Sequence, residues 1–103
     1  MRLPVFAAAG LTALAINLSP AAADIIAEFH CADGTAFSAA FTPPGAPSGR
    51  VTLTYADGRT VVLPQAPSAD GGRYAEGASE FWVKGAGGRL TLDGKETTCE
   101  AKP

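Results

Sequence analysis

The residues that could carry out chemistry in this sequence are one histidine, two cysteines and ten scattered carboxylates. His30 directly precedes Cys31, and nothing near it suggests a nucleophile for an imidazole base to activate. The carboxylates fall mostly one to a turn or strand end, without the clustering of a metal site or the glycine pattern of a phosphate-binding loop. We therefore expect no enzymatic activity, no metal and no cofactor.

The first 23 residues have the pattern of a cleaved export signal. Arg2 is followed by an apolar run of about 14 residues, and alanines at 21 and 23 fit the A-x-A cleavage rule. The run is short for a membrane span, and no cysteine follows it directly, as a lipoprotein would require. We expect cleavage before Asp24, no membrane anchor, and a periplasmic or secreted domain over residues 24–103.

Cys31 and Cys99 lie near opposite ends of this 80-residue domain. In an exported protein the default is one structural disulfide between them, and a domain this small often needs such a crosslink. Without Arg2, seven basic side chains stand against ten acidic ones. Nucleic acid is therefore an improbable partner, because binding it needs a basic stripe, whereas an acidic excess favours encounter with a basic protein.

Four Asp-Gly pairs punctuate the sequence, and Asp-Gly is a strong signal for a type I′ hairpin turn. The pairs at 33–34, 57–58 and 93–94 are flanked on both sides by alternating or β-branched runs, which predicts three hairpins. The fourth, at 70–71, follows two prolines and is expected in a longer loop. We also expect loops at 42–49 and 64–72.

No segment of the domain has a sustained apolar period of 3.6 residues, and about eight short strand-like runs are separated by glycine and proline. The sequence therefore predicts an all-β fold, a small eight-stranded antiparallel β-barrel. Closure is favoured over a flat sheet because it leaves no exposed strand edge. A disulfide between the first and last strands would hold the barrel closed.

The stretch 68–85, "SADGGRYAEGASEFWVKG", is the most unusual in composition. In its strand, Phe81 and Val83 are expected on one face, and Trp82 and Lys84 on the other. Trp82 would then cover the barrel while Lys84 is merely solvated, or the two would form a binding surface, as aromatic and basic residues often do.

This stretch resembles the bacterial inhibitors of c-type lysozyme, in a soluble periplasmic form. The resemblance rests on "SADGGRY", on "EFWVKG" and on a cysteine near each end. Members of that family fold as eight-stranded antiparallel barrels. They insert the two motifs into the lysozyme active-site cleft, where a motif serine and a lysine engage the two catalytic carboxylates.

The resemblance implies lysozyme-contacting roles for five residues. Lys84 matches the lysine, Gly71 the motif glycine, and Tyr74 the tyrosine that supports the loop. The serine position holds Asp70, and Ser68 lies two residues earlier. The Asp70 carboxylate must be protonated, paired with Arg73 or Lys84, or turned away from the cleft.

The expected function is inhibition of a c-type lysozyme by occupation of its cleft, which protects the cell wall. The alternative is a structural or adaptor module of the cell envelope that has lost inhibition, and Asp70 is the feature that favours it. Replacement of Asp70 by serine separates the two.

Overall fold

The barrel is built from eight strands in a computed structural model that describes residues 23–103. The predicted export signal lies outside this range, apart from Ala23. Among the described residues there is no helix that could cross a membrane. The strands are β1 (Ile25–Cys31), β2 (Ala36–Phe41), β3 (Arg50–Tyr55), β4 (Thr60–Ala66), β5 (Gly72–Glu76), β6 (Ser79–Lys84), β7 (Gly87–Leu92) and β8 (Lys95–Ala101).

Each strand pairs antiparallel with the next, and β1 pairs with β8 to close the barrel. This arrangement confirms the predicted fold class. Because neighbouring strands run in opposite directions, the connecting loops alternate between the two ends of the barrel. One end carries the loops 42–49, 67–71 and 85–86, and the other carries the remaining turns.

The core consists of inward-facing side chains from alternate strand positions, as the pleat of a strand requires. Phe81 lies at its centre and is fully buried. Its ring makes edge-to-face contacts with Phe29 and Phe37, at centroid distances of 5.1 and 5.4 Å. The remaining buried core residues are Cys31, Ala39, Val51, Leu53, Tyr55, Leu63, Tyr74, Leu90 and Cys99.

The three predicted hairpins are present, but only the turn at 93–94 has the expected type I′ backbone. There both Asp93 and Gly94 have positive φ, at 51° and 83°. At 33–34 and 57–58 only the glycine has positive φ. Three residues, with glycine last, lie inside the hydrogen bond that closes each turn, 32–34 in the first and 56–58 in the second. The reason is local: Asp33 and Asp57 accept hydrogen bonds from the backbone N–H two residues later, which favours the longer loop.

The predicted loop at 64–72 was wrong in its first three residues and in its last, Gly72, which begins β5. Strand β4 continues to Ala66, with Pro64 opposite Arg50 and Gln65 opposite Tyr74. Proline is tolerated here because the ladder continues through the N–H of Gln65, which donates to the Gly49 carbonyl. The loop at 42–49 is found where it was predicted, and Asp70 lies in a loop of five residues, 67–71.

A disulfide joins Cys31 and Cys99, as predicted. These residues face each other across the β1–β8 pair, which has only two further registered pairs, Phe29 with Ala101 and His30 with Glu100. The covalent bond therefore lies at the short seam where the first and last strands meet.

Candidate functional site

The predicted site residues cluster at the barrel end formed by the loops 42–49, 67–71 and 85–86. All of β5 pairs with β6, with Gly72 opposite Val83, and Lys84 lies one residue beyond this pairing. This register places the start of β5 beside the end of β6. The 67–71 loop and Lys84, which are 13 or more positions apart in the sequence, thus share one surface.

Gly71 fixes how closely the loop approaches β6. Its φ is +70°, in the region that disfavours other residues, and a Cβ at this position would overlap the carbonyl oxygen of Val83. The glycine of the motif is therefore required by close backbone contact. This contact sets the loop directly against the strand that carries Lys84.

Two hydrogen bonds to backbone carbonyls hold the same loop. The indole N–H of Trp82 donates to the carbonyl oxygen of Asp70 at 2.9 Å. The hydroxyl of Ser68 donates to the carbonyl oxygen of Gly71 at 3.0 Å. Ser68 is therefore engaged in closing its own loop, although it remains exposed.

Asp70 and Lys84 form an ion pair at the exposed tip of this surface. The Lys84 Nζ lies 2.6 Å from Asp70 Oδ2, and both side chains are more than half exposed, at 73% and 62%. Of the arrangements open to Asp70 from sequence, the structure has the pairing with Lys84. Exposed pairs of this kind contribute about 0–1 kcal/mol to stability, so the pair is not needed for folding.

Tyr74 supports the loop from inside the barrel. It is buried and packs against Phe41 at a centroid distance of 5.6 Å, and its ring lies beside Gly72. Burial raises the pKa of the Tyr74 phenol above its ordinary value, because the charged form is poorly solvated there. Tyr74 thus shapes the base of the loop.

Sequence reasoning considered Arg73 only as a possible partner of Asp70 and did not predict that two arginines flank Trp82. Arg73 on β5 and Arg89 on β7 lie directly opposite Trp82 in register, with guanidinium carbons 5.7 and 5.4 Å from the ring centroid. Each arginine is bound to a carboxylate, Arg73 to Glu80 and Arg89 to Glu96. The position of Arg89 could have been predicted from the length of the loop, because a two-residue loop at 85–86 places Arg89 opposite Trp82.

A concavity of about 350 Å³ opens beside the ion pair. Gly87 has no side chain to fill it, so the face of β7 next to Lys84 remains open, whereas a Cβ at Gly88 would point inward and crowd the Phe81 ring. A second, mainly apolar concavity of about 440 Å³ lies above Tyr74, between Pro43 and Val83. The first is lined by Asp70, Trp82, Lys84, Gly87, Gly88 and Arg89.

The arrangement has the features of a binding surface. Within residues 23–103 no three His, Cys, Asp or Glu side chains are grouped so that they could hold a metal ion. His30 is exposed on β1, opposite Ala36 and Glu100. What the tip offers is an ammonium, a carboxylate and an indole held on a rigid frame, which can dock against a complementary protein surface.

Comparisons with known proteins point in one direction. The family model described as membrane-bound lysozyme-inhibitor of c-type lysozyme matches residues 29–98. Among solved structures, the chain is similar to Pseudomonas aeruginosa MliC, crystallised in complex with hen egg white lysozyme. The two are 23% identical with a TM-score of 0.64, over 90% of this chain and 100% of that one, which establishes a shared fold. A search of curated proteins found no significant match.

Proposed function

Because the chain belongs to the family of membrane-bound lysozyme inhibitors of c-type lysozyme, we propose that it binds a c-type lysozyme and blocks the active-site cleft. The consequence for the cell is protection of the cell wall from lysis. The family is one of inhibitors, and the proposal assigns no catalytic step to this chain.

The observation that carries the assignment of the site is the convergence of Lys84 and the 67–71 loop on one exposed surface. Lys84 is at the end of β6, and Gly71 is packed against the preceding residue of that strand. A protruding, rigid edge of this kind suits insertion into a cleft, because little conformational freedom is lost on binding. Tyr74 contributes by supporting this edge.

Lys84 is the residue proposed to contact the catalytic groups. Lysozyme acts through two carboxyl groups that flank the scissile bond. An ammonium group placed between them gains charge-assisted hydrogen bonds in a site shielded from water. Substrate and inhibitor then exclude each other, since both require the same cleft.

The direct test is titration of the purified protein against a c-type lysozyme on a cell-wall substrate. The parent chain is expected to abolish lysis, and Lys84→Ala to weaken inhibition by about 2–5 kcal/mol, the usual effect of removing one partner of a buried charged pair. Lys95→Ala is the matched control, because Lys95 is exposed at the opposite end of the barrel. Undiminished lysis at a large excess of the parent chain would refute the proposal.

A second candidate is a structural or adaptor module of the cell envelope. Asp70, which occupies the serine position of the motif and holds Lys84 in an ion pair, favours it. In that case the parent chain fails to inhibit, and Asp70→Ser inhibits because Lys84 is released.

We also propose that the chain is exported to the periplasm or beyond and cleaved before Asp24. Cleavage there leaves the barrel complete, because β1 begins at Ile25. Mass spectrometry of the protein recovered from the periplasm should give an N-terminus at Asp24, and an uncleaved chain would contradict this.

A further inference from the structure

The Asp70–Lys84 pair is positioned by contacts that do not involve the Asp70 side chain. The loop is held through the carbonyl oxygens of Asp70 and Gly71, which accept from Trp82 and Ser68. The carboxylate therefore stays beside the Lys84 ammonium because of the backbone around it. Substitution of Asp70 by serine or asparagine changes the charge at the tip and leaves these loop contacts in place.

The other charged groups around the tip are engaged elsewhere. Arg73 on β5 binds Glu80 at 2.6 Å, and Arg89 on β7 lies 3.4 Å from Glu96. Lys84 on β6 is thus the cation that Asp70 contacts among the residues described. The tip presents one acidic and one basic group side by side, and it carries no net charge.

A target surface that complements such a pair offers an ionised carboxylate to the ammonium and a hydrogen-bond donor to the carboxylate. The catalytic site of a retaining glycosidase has this composition. One of its two carboxyl groups is a protonated general acid and the other is ionised, and the two are about 5–5.5 Å apart.

We propose that the Asp70–Lys84 pair selects the protonation state of the lysozyme site in which one carboxyl group is neutral and the other ionised. Lys84 pairs with the ionised carboxylate, and Asp70 accepts a hydrogen bond from the neutral carboxylic acid. This inference rests on the proposed function. It makes Asp70 the residue that determines which form of the enzyme is bound.

Binding then requires that the general acid of the lysozyme carries its proton. Above the pKa of the free general acid, about 6 in lysozyme, that group ionises and would face the Asp70 carboxylate as a like charge. Each complex must then take up a proton, so the dissociation constant rises by up to about tenfold per pH unit above that pKa. With serine at position 70 only the ammonium remains, and it favours the ionised form, so affinity does not fall in this range.

The experiment is calorimetric titration of hen egg white lysozyme with the parent chain, Asp70→Ser and Asp70→Asn between pH 5 and 8. Each titration is run in two buffers of different ionisation enthalpy, which gives the number of protons taken up. The parent is expected to take up close to one proton above pH 6 and to weaken by roughly tenfold or more between pH 6 and 8. Both substituted proteins are expected to take up none.

Asp57→Asn is the matched control. Asp57 is also an exposed Asp-Gly aspartate bound to a neighbouring cation, Arg59 at 2.8 Å, but it lies at the opposite end of the barrel. This variant is expected to retain the pH dependence of the parent. If the parent and the two Asp70 variants bind with the same pH dependence, the inference fails while the proposed function stands. If none of the proteins binds at any pH, the proposed function fails.

Discussion

At the scale of single residues, Gly71 determines where the binding loop lies. We expect Gly71→Ala to lower the free energy of unfolding by more than the roughly 1–2 kcal/mol cost of a left-handed residue, because its methyl group would also overlap the Val83 carbonyl. The loop must then move away from β6, so lysozyme binding should weaken as well. Urea unfolding and an inhibition assay measure the two effects.

Gly77→Ala is the control that measures the cost of backbone strain at positive φ without an added steric overlap. Gly77 has a similar φ, +62°, but a Cβ there meets no atom within 4 Å, and it lies in the turn at the opposite end. It should show the backbone cost alone and retain inhibition. Equal losses in both variants would mean that the approach of Gly71 to β6 has no role.

The side-chain contacts within the site could not be predicted from the sequence. The motif identified Asp70 and Lys84 as neighbours on one surface, but the choice among protonation, pairing and exposure depends on a distance that only the folded loop defines. Likewise, Ser68 could have been a free hydroxyl, and its use in closing the loop depends on the turn that Gly71 makes.

At the scale of elements, strand β6 organises the site by contributing side chains to both faces. Phe81 fixes the strand in the core, while Trp82 reaches across the outer face to the Asp70 carbonyl. Trp82→Phe keeps an aromatic ring but removes the N–H donor together with part of the ring that Arg73 and Arg89 cover. We expect a loss of about 0.5–1.5 kcal/mol in stability and a more mobile 69–71 segment with weaker binding.

The measurement for Trp82→Phe is backbone ¹⁵N relaxation, with the turn at 93–94 as internal reference. Order parameters should fall in the 69–71 segment and remain unchanged at the reference. A loop that stays as rigid as in the parent would show that the Gly71 contact alone holds it.

The elements themselves were largely predictable, because alternation of polar and apolar residues determines which face of a strand is buried. The turns were predicted less well. Asp-Gly specifies that the chain reverses, but whether the loop has two or three residues depends on the Asp side chain, which in two of the turns accepts a backbone hydrogen bond. The end of β4 was missed because Pro64 was taken as a break, whereas its neighbour Gln65 continues the ladder.

At the scale of the whole molecule, barrel closure depends on the short β1–β8 seam. Three residue pairs register there, and one of them is the Cys31–Cys99 disulfide, which joins residues 68 positions apart in the sequence. We expect the double substitution Cys31→Ala, Cys99→Ala to lower the free energy of unfolding by about 2–5 kcal/mol, since the unfolded chain is no longer constrained.

Amide exchange in the double variant should accelerate first in β1 and β8, because an open seam leaves their backbone groups without partners. In the regions of β5 and β6 that bear Tyr74 and Lys84, protection should fall only as far as global stability does, so any inhibitor that remains folded should still bind lysozyme. Loss of binding in a fully folded double variant would show instead that the seam positions the site across the barrel.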